Sequence, residues 1–142
     1  MTTSTSTLSV TRANAGWWRV TFDNPPINLY DPDVLRDFQW LVSAIENDDE
    51  LRVVTFESAN PRYFMAHIDL LKVGGAAEDP DASAQPEAGG LPPWPDVLRR
   101  LEDAPVVTVG VLRGRARGVG SEFLLGRVDQ EVSRSGRGVL SG

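Results

Sequence analysis

The residues of this chain that could do chemistry fall in two short segments. One is Gly114-Arg115-Ala116-Arg117-Gly118-Val119-Gly120, followed at once by Ser121-Glu122-Phe123-Leu124-Leu125. A Gly-rich connection into a helix N-terminus leaves up to about four backbone N–H groups unpaired and aligned with the positive end of the helix dipole, which favours an anion or a developing oxyanion. Glu122, in the first turn of that helix, would stand close to whatever binds there. The same pattern also occurs where glycines only permit a tight turn and a glutamate complements the dipole. Spacing alone leaves both readings open. A P-loop is excluded, since no Lys-Ser or Lys-Thr follows the last glycine.

The second segment is Tyr63-Phe64-Met65-Ala66-His67-Ile68-Asp69-Leu70, which holds the one histidine of the chain. It also reads as core, with Phe64, Met65, Ile68 and Leu70 inward and Asp69 as a charge at a helix start. His67 has a titratable ring, but a role as a base needs a nearby partner. Arg113, Arg115 and Arg117 alternate beside the glycines and suit phosphate. No aromatic side chain lies between them for base stacking and the net charge is −6, so no nucleic-acid partner is expected.

The elements that must position these residues can be read along the 142-residue chain, a length suited to one domain. Leu8 to Thr11 and Trp17 to Phe22 are rich in Val, Thr, Trp and Phe and flank the turn residues Ala13-Asn14-Ala15-Gly16, which predicts a hairpin. Asp23-Asn24-Pro25-Pro26 ends it. Asp31 as N-cap, Pro32 at the first helical position and the stripe Val34, Phe38, Leu41 and Ile45 predict a helix from about Pro32 to Asn47. Arg52 to Phe56 and Val106 to Leu112 are β-branched runs of the kind found in buried parallel strands. Trp94, Val97, Leu98 and Leu101 have helical spacing, as does Ser121 to Leu125, and a short helix is predicted from Ile68 to Val73. Residues 1–7 are expected to be a flexible N-terminus, 74–93 a mobile loop, and 127–142 a polar, divergent tail. The order of strands and helices predicts an α/β sheet of crossover units.

With no cysteine and one histidine, a disulfide scaffold, an iron–sulfur cluster, a thiolate zinc site, a cysteine nucleophile and a multi-histidine metal centre are excluded, and no metal is expected. Met1 to Leu8 has neither a basic nor an apolar leader region, and no apolar run approaches about 18 residues. No membrane association is expected, and the cytoplasm is the expected compartment.

Taken together and in order, five stretches resemble the enoyl-CoA hydratase/isomerase (crotonase) superfamily. Besides the two segments above, Trp18-Arg19-Val20-Thr21-Phe22-Asp23-Asn24-Pro25-Pro26-Ile27-Asn28-Leu29 is similar to the family's opening strand and its Asn-Pro-Pro-x-Asn turn. Arg52-Val53-Val54-Thr55-Phe56-Glu57-Ser58 is similar to the Val-rich strand before the first active-site loop. Ala104-Pro105-Val106-Val107-Thr108-Val109-Gly110-Val111-Leu112-Arg113 is similar to the strand leading into the second. The resemblance covers about residues 8–126.

It implies a crotonase-like core of repeated ββα units, incomplete at the C-terminus, and acyl-CoA thioester substrates with coenzyme A as part of the substrate and no separate cofactor. It also implies an oxyanion hole of two backbone amides, falling here on Ile68 and Val119, with Glu122 at the position of the first acid/base glutamate. Ala66 falls where a backbone carbonyl meets the adenine, and His67, Asp69 and Gly118 fall on the same substrate-binding loops. A homotrimer or hexamer is implied for a complete fold. His67 stands where the family has a loop glycine and Val119 where it has the central glycine of the turn, and a β-branched residue there is expected to resist positive φ and to add bulk to the pocket. The family's second glutamate would fall just beyond Gly142, and Glu131 does not have its spacing. The alternative expectation is therefore a truncated, catalytically inactive crotonase-like fragment with a binding role or no independent role.

Overall fold

A computed structural model gives the structure of the chain and describes residues 1–69, 71, 93–125 and 129–131. The hairpin pairs β2 (Leu8–Asn14) with β3 (Trp17–Phe22), and β1 (Thr2–Ser4) pairs antiparallel with β2 at the sheet edge. Residues 2–4 are thus a strand, not the flexible terminus expected. They carry only Thr and Ser, so no apolar pattern marks them, and cross-strand contacts such as Thr2 Oγ1 to Thr11 Oγ1 at 3.1 Å accompany the ladder.

Helix α1 (Pro32–Glu46) begins as expected: the Asp31 side chain accepts from the Val34 N–H. Its apolar stripe, Val34, Phe38, Leu41, Val42 and Ile45, is buried. So is Asp37, whose Oδ2 accepts from both the amide (2.7 Å) and the hydroxyl (2.8 Å) of Thr7, which ties the helix to the start of β2. Strands β4 (Val53–Ser58) and β6 (Val107–Val111) run parallel to β3 and to each other. Only alternate residues are fully buried: Val54 and Phe56 point into the core, whereas Val107 is 51% exposed. These strands are therefore covered on one face by the described residues, so the β-branched runs overstate their burial.

The sheet order is β1-β2-β3-β4-β6-β8, where β8 (Asp129–Glu131) pairs parallel with β6. The start of the expected polar tail is thus a sheet strand. Its backbone bonds are indifferent to the Asp, Gln and Glu side chains that hide it from a hydrophobicity reading. A second, two-stranded sheet pairs β5 (Tyr63–Met65) with β7 (Arg115–Ala116) in parallel. Helices α2 (Pro93–Asp103) and α3 (Val119–Leu125) complete the described elements.

The repeat is visible in this order. Each of β4-β5-α2 and β6-β7-α3 gives one strand to the large sheet, one to the small ladder and then a helix. The segment β3-Tyr30-α1 does the same, because Tyr30 makes a parallel bridge to Ile68. This is an α/β fold of ββα units. The expected helix from Ile68 to Val73 and the loop 74–93 fall largely outside the described residues. Within them, Ile68 is a bridge residue and Pro93 opens α2.

Candidate active site

The two chemistry-bearing segments are adjacent in space because they leave the same end of the β5–β7 ladder. Arg117 N–H donates to the Met65 carbonyl at 3.2 Å, directly before the 66–69 loop on one side and the Gly118 turn on the other. A Cβ at Gly118 would lie 3.8 Å from His67 Nδ1, and Gly118 has φ +52°. Gly120 is pressed closer still: a Cβ there would lie 2.3 Å from the Met65 carbonyl oxygen, so only glycine lets α3 start against β5.

The first segment is aimed by its neighbours. Tyr30 N–H donates to the His67 carbonyl (2.9 Å) and Asp69 N–H donates to the Tyr30 carbonyl (2.7 Å). In such a parallel bridge the central residue turns its own N–H away from the partner strand. The Ile68 amide therefore points off the ladder and makes no hydrogen bond to a described residue, and its side chain is 41% exposed instead of lying in the core. Asp69 Oδ1 accepts from Leu71 N–H at 3.1 Å. Burial, with the neighbouring Asp31 charge adding to it, pushes the Tyr30 hydroxyl up to about 12, so it stays protonated.

The second segment resolves the expected difficulty with Val119. The left-handed conformation falls on Gly118, while Val119 opens α3 at ordinary φ. Its side chain is buried in the hydrophobic core and so does not fill the space between the loops. As a first-turn residue it has an N–H without an intrahelical acceptor, and that amide makes no hydrogen bond to a described residue. Gly120 and Glu122 amides bond the Arg117 and Gly118 carbonyls, and Ser121 Oγ donates to the Ala116 carbonyl at 3.0 Å. Phe123 is the anchor. Its ring lies 5.0 Å from Phe56, 5.5 Å from Phe38, 6.1 Å from Phe64 and 6.3 Å from Trp94 between centroids. With Phe123 inward, Glu122 is exposed, in the first turn of α3.

Sequence reasoning missed the importance of Asn28, although it lies in the Asn-Pro-Pro-x-Asn turn. It is fully buried at φ 56°, a conformation that asparagine tolerates better than most residues. Its Nδ2 donates to Ser58 Oγ (2.6 Å) and to the Tyr63 (3.2 Å) and Phe64 (3.1 Å) carbonyls. Its own carbonyl accepts from the Ala66 amide at 2.9 Å, which fixes buried Ala66 at the start of the loop. The signal was the asparagine at the end of a proline turn, where a short amide side chain can replace missing backbone partners.

Among the described residues no group of His, Asp and Glu is arranged to hold a metal ion, and no helix is long and apolar enough to cross a membrane. No protein-family model matches the chain, nor does any curated protein sequence. Solved structures do. A protein of Streptomyces avermitilis assigned as an enoyl-CoA hydratase is 30% identical, with a TM-score of 0.75 over 89% of this chain and 46% of its own. An enoyl-CoA hydratase of Geobacillus kaustophilus is 22% identical (TM-score 0.76; 92% of this chain, 47% of its own). One from Bacillus anthracis is 20% identical (TM-score 0.72; 88% and 46%). The latter two speak to the fold alone. This chain spans about half the length of the structures it matches. The shared fold, at 30% identity to one of these structures, is that of the enoyl-CoA hydratase/isomerase (crotonase) superfamily.

Proposed function

We propose that the chain binds an acyl-CoA thioester and serves hydratase or isomerase chemistry, with the Ile68 and Val119 amides as the oxyanion hole. The observation that carries this reading is the pair of amides freed by different means, one by a parallel bridge and one by a helix start, at the same end of one ladder. When the carbon beside a thioester reacts, negative charge develops on the carbonyl oxygen, and a preorganised donor there contributes about 3 kcal/mol. Glu122 supplies or removes the proton. One carboxylate suffices for a double-bond shift, whereas hydration uses two well, one for water and one for the proton. The Ala66 carbonyl faces the adenine, and His67, Asp69 and Gly118 border the substrate. Coenzyme A enters as part of the substrate.

The expected outcome is that purified chain removes the enoyl absorbance of crotonyl-CoA and that Glu122→Gln slows this by about a hundredfold or more. A folded chain that binds acyl-CoA without turnover supports the fragment reading instead, in which the loops recognise the thioester and catalysis needs residues beyond those here.

A further inference from the structure

We propose that the opposite end of the β5–β7 ladder is a separate anion site for a small molecule carrying a phosphate monoester or diphosphate. A cavity of about 550 Å³ opens there, lined by Pro61, Arg62, Tyr63, Arg113, Gly114 and Arg115. Its volume falls within the range of small-ligand sites, about 300–1,000 Å³. The strands run from this cavity toward the Ile68 and Val119 amides, so it lies behind the candidate active site and not in it. It stands whether or not the chain turns over a thioester.

Three arginines line this cavity on a chain of net charge −6. The side chains of Arg62 and Arg115 form no ion pair with a described residue. Arg113 Nη1 stands 3.7 Å from Glu57 Oε2, a long contact, while Glu57 Oε1 receives Arg19 Nη2 at 2.9 Å. Glu57 is thus already engaged by a second arginine. The backbone that carries the cluster is fixed: Arg115 N–H donates to the Arg62 carbonyl at 2.8 Å, and a Cβ at Gly114 would come within 2.5 Å of the Arg62 carbonyl carbon. Arginine forks match phosphate oxygens bidentately, and the backbone that carries these three is held at fixed spacing. The restricted volume favours a small phosphorylated ligand over a polymer.

The test is a calorimetric titration of inorganic pyrophosphate into the full chain at low salt. Saturable one-site binding is expected, weakened at least about tenfold in Arg62→Gln/Arg115→Gln, with an unchanged far-UV spectrum. Arg113→Gln is expected to weaken binding as well, and Glu57→Gln to tighten it by freeing Arg113. Competition by ADP would mark a nucleotide diphosphate, and competition by coenzyme A without ADP would mark a CoA ester. Absence of saturable binding, or equal binding by the folded double variant, overturns the proposal. So does RNA affinity that grows with strand length and exceeds that for pyrophosphate, which would make this a polymer surface.

Discussion

At the scale of single residues, the candidate site depends on side chains that never touch a substrate. Asn28 is the clearest: one buried amide closes the proline turn, the end of β4 and the start of the 66–69 loop. Asn28→Ala removes the donor to the Phe64 carbonyl, while Tyr63 keeps its bond from Ser58 Oγ, and places a less tolerant residue at φ 56°. It is expected to cost about 2–3 kcal/mol in urea unfolding, and any acyl-CoA binding should fall with it. Asn28→Asp, which loses the donors but keeps the shape, should cost as much; a loss below about 0.5 kcal/mol in both variants would show that the turn, not the side chain, holds the loop. Glu122 differs in kind. It is exposed, so Glu122→Gln should leave stability within about 0.5 kcal/mol of the parent while slowing any crotonyl-CoA turnover by about a hundredfold or more.

At the scale of elements, α3 is a short helix whose position is set by Phe123. Truncating that ring to alanine is expected to cost about 3–5 kcal/mol, because it leaves a cavity shared by β4, β5 and α1. Acyl-CoA affinity should fall before the fold is lost, as the Val119 amide loses its anchor. Helix α2 is docked on α1 partly by Arg100, whose Nε and Nη2 donate to Glu46 at 2.9 and 2.7 Å. That hydrogen bond holds the Glu46 carboxyl below its ordinary 4.5. The contribution is therefore complete above pH 4.5 and disappears as the pH falls through the lowered value. Wild type should lose up to about 1 kcal/mol relative to Glu46→Gln over that descent, the modest size reflecting a partly exposed pair; parallel acid-unfolding curves would remove the assignment. How far the elements were legible follows from their side chains. The Asp31 cap, the α1 stripe and the alternation Trp18, Val20, Phe22 are written in residue type. Thr2–Ser4, Arg115–Ala116 and Asp129–Glu131 are strands by backbone pairing alone, with side chains that any turn or tail could carry.

At the scale of the whole molecule, order decides function. Successive ββα units bring residues 66–69 and 117–122 to one end of a two-stranded ladder, although some fifty positions separate them in the chain. The motifs and their order were enough to identify the fold. The direction of the Ile68 amide was not legible, because it depends on a bridge to Tyr30, nor was the displacement of positive φ from Val119 to Gly118. About half the length of the matched structures is represented here, and the proposed function requires this part to recognise a thioester through the Ile68 and Val119 amides. Thermal unfolding with acetoacetyl-CoA, against coenzyme A as control, is the test of that requirement. At a hundredfold excess over Kd the transition should rise by roughly 5–10 °C with acetoacetyl-CoA, and clearly less with coenzyme A alone. An unchanged transition, or an equal rise with both ligands, would contradict it.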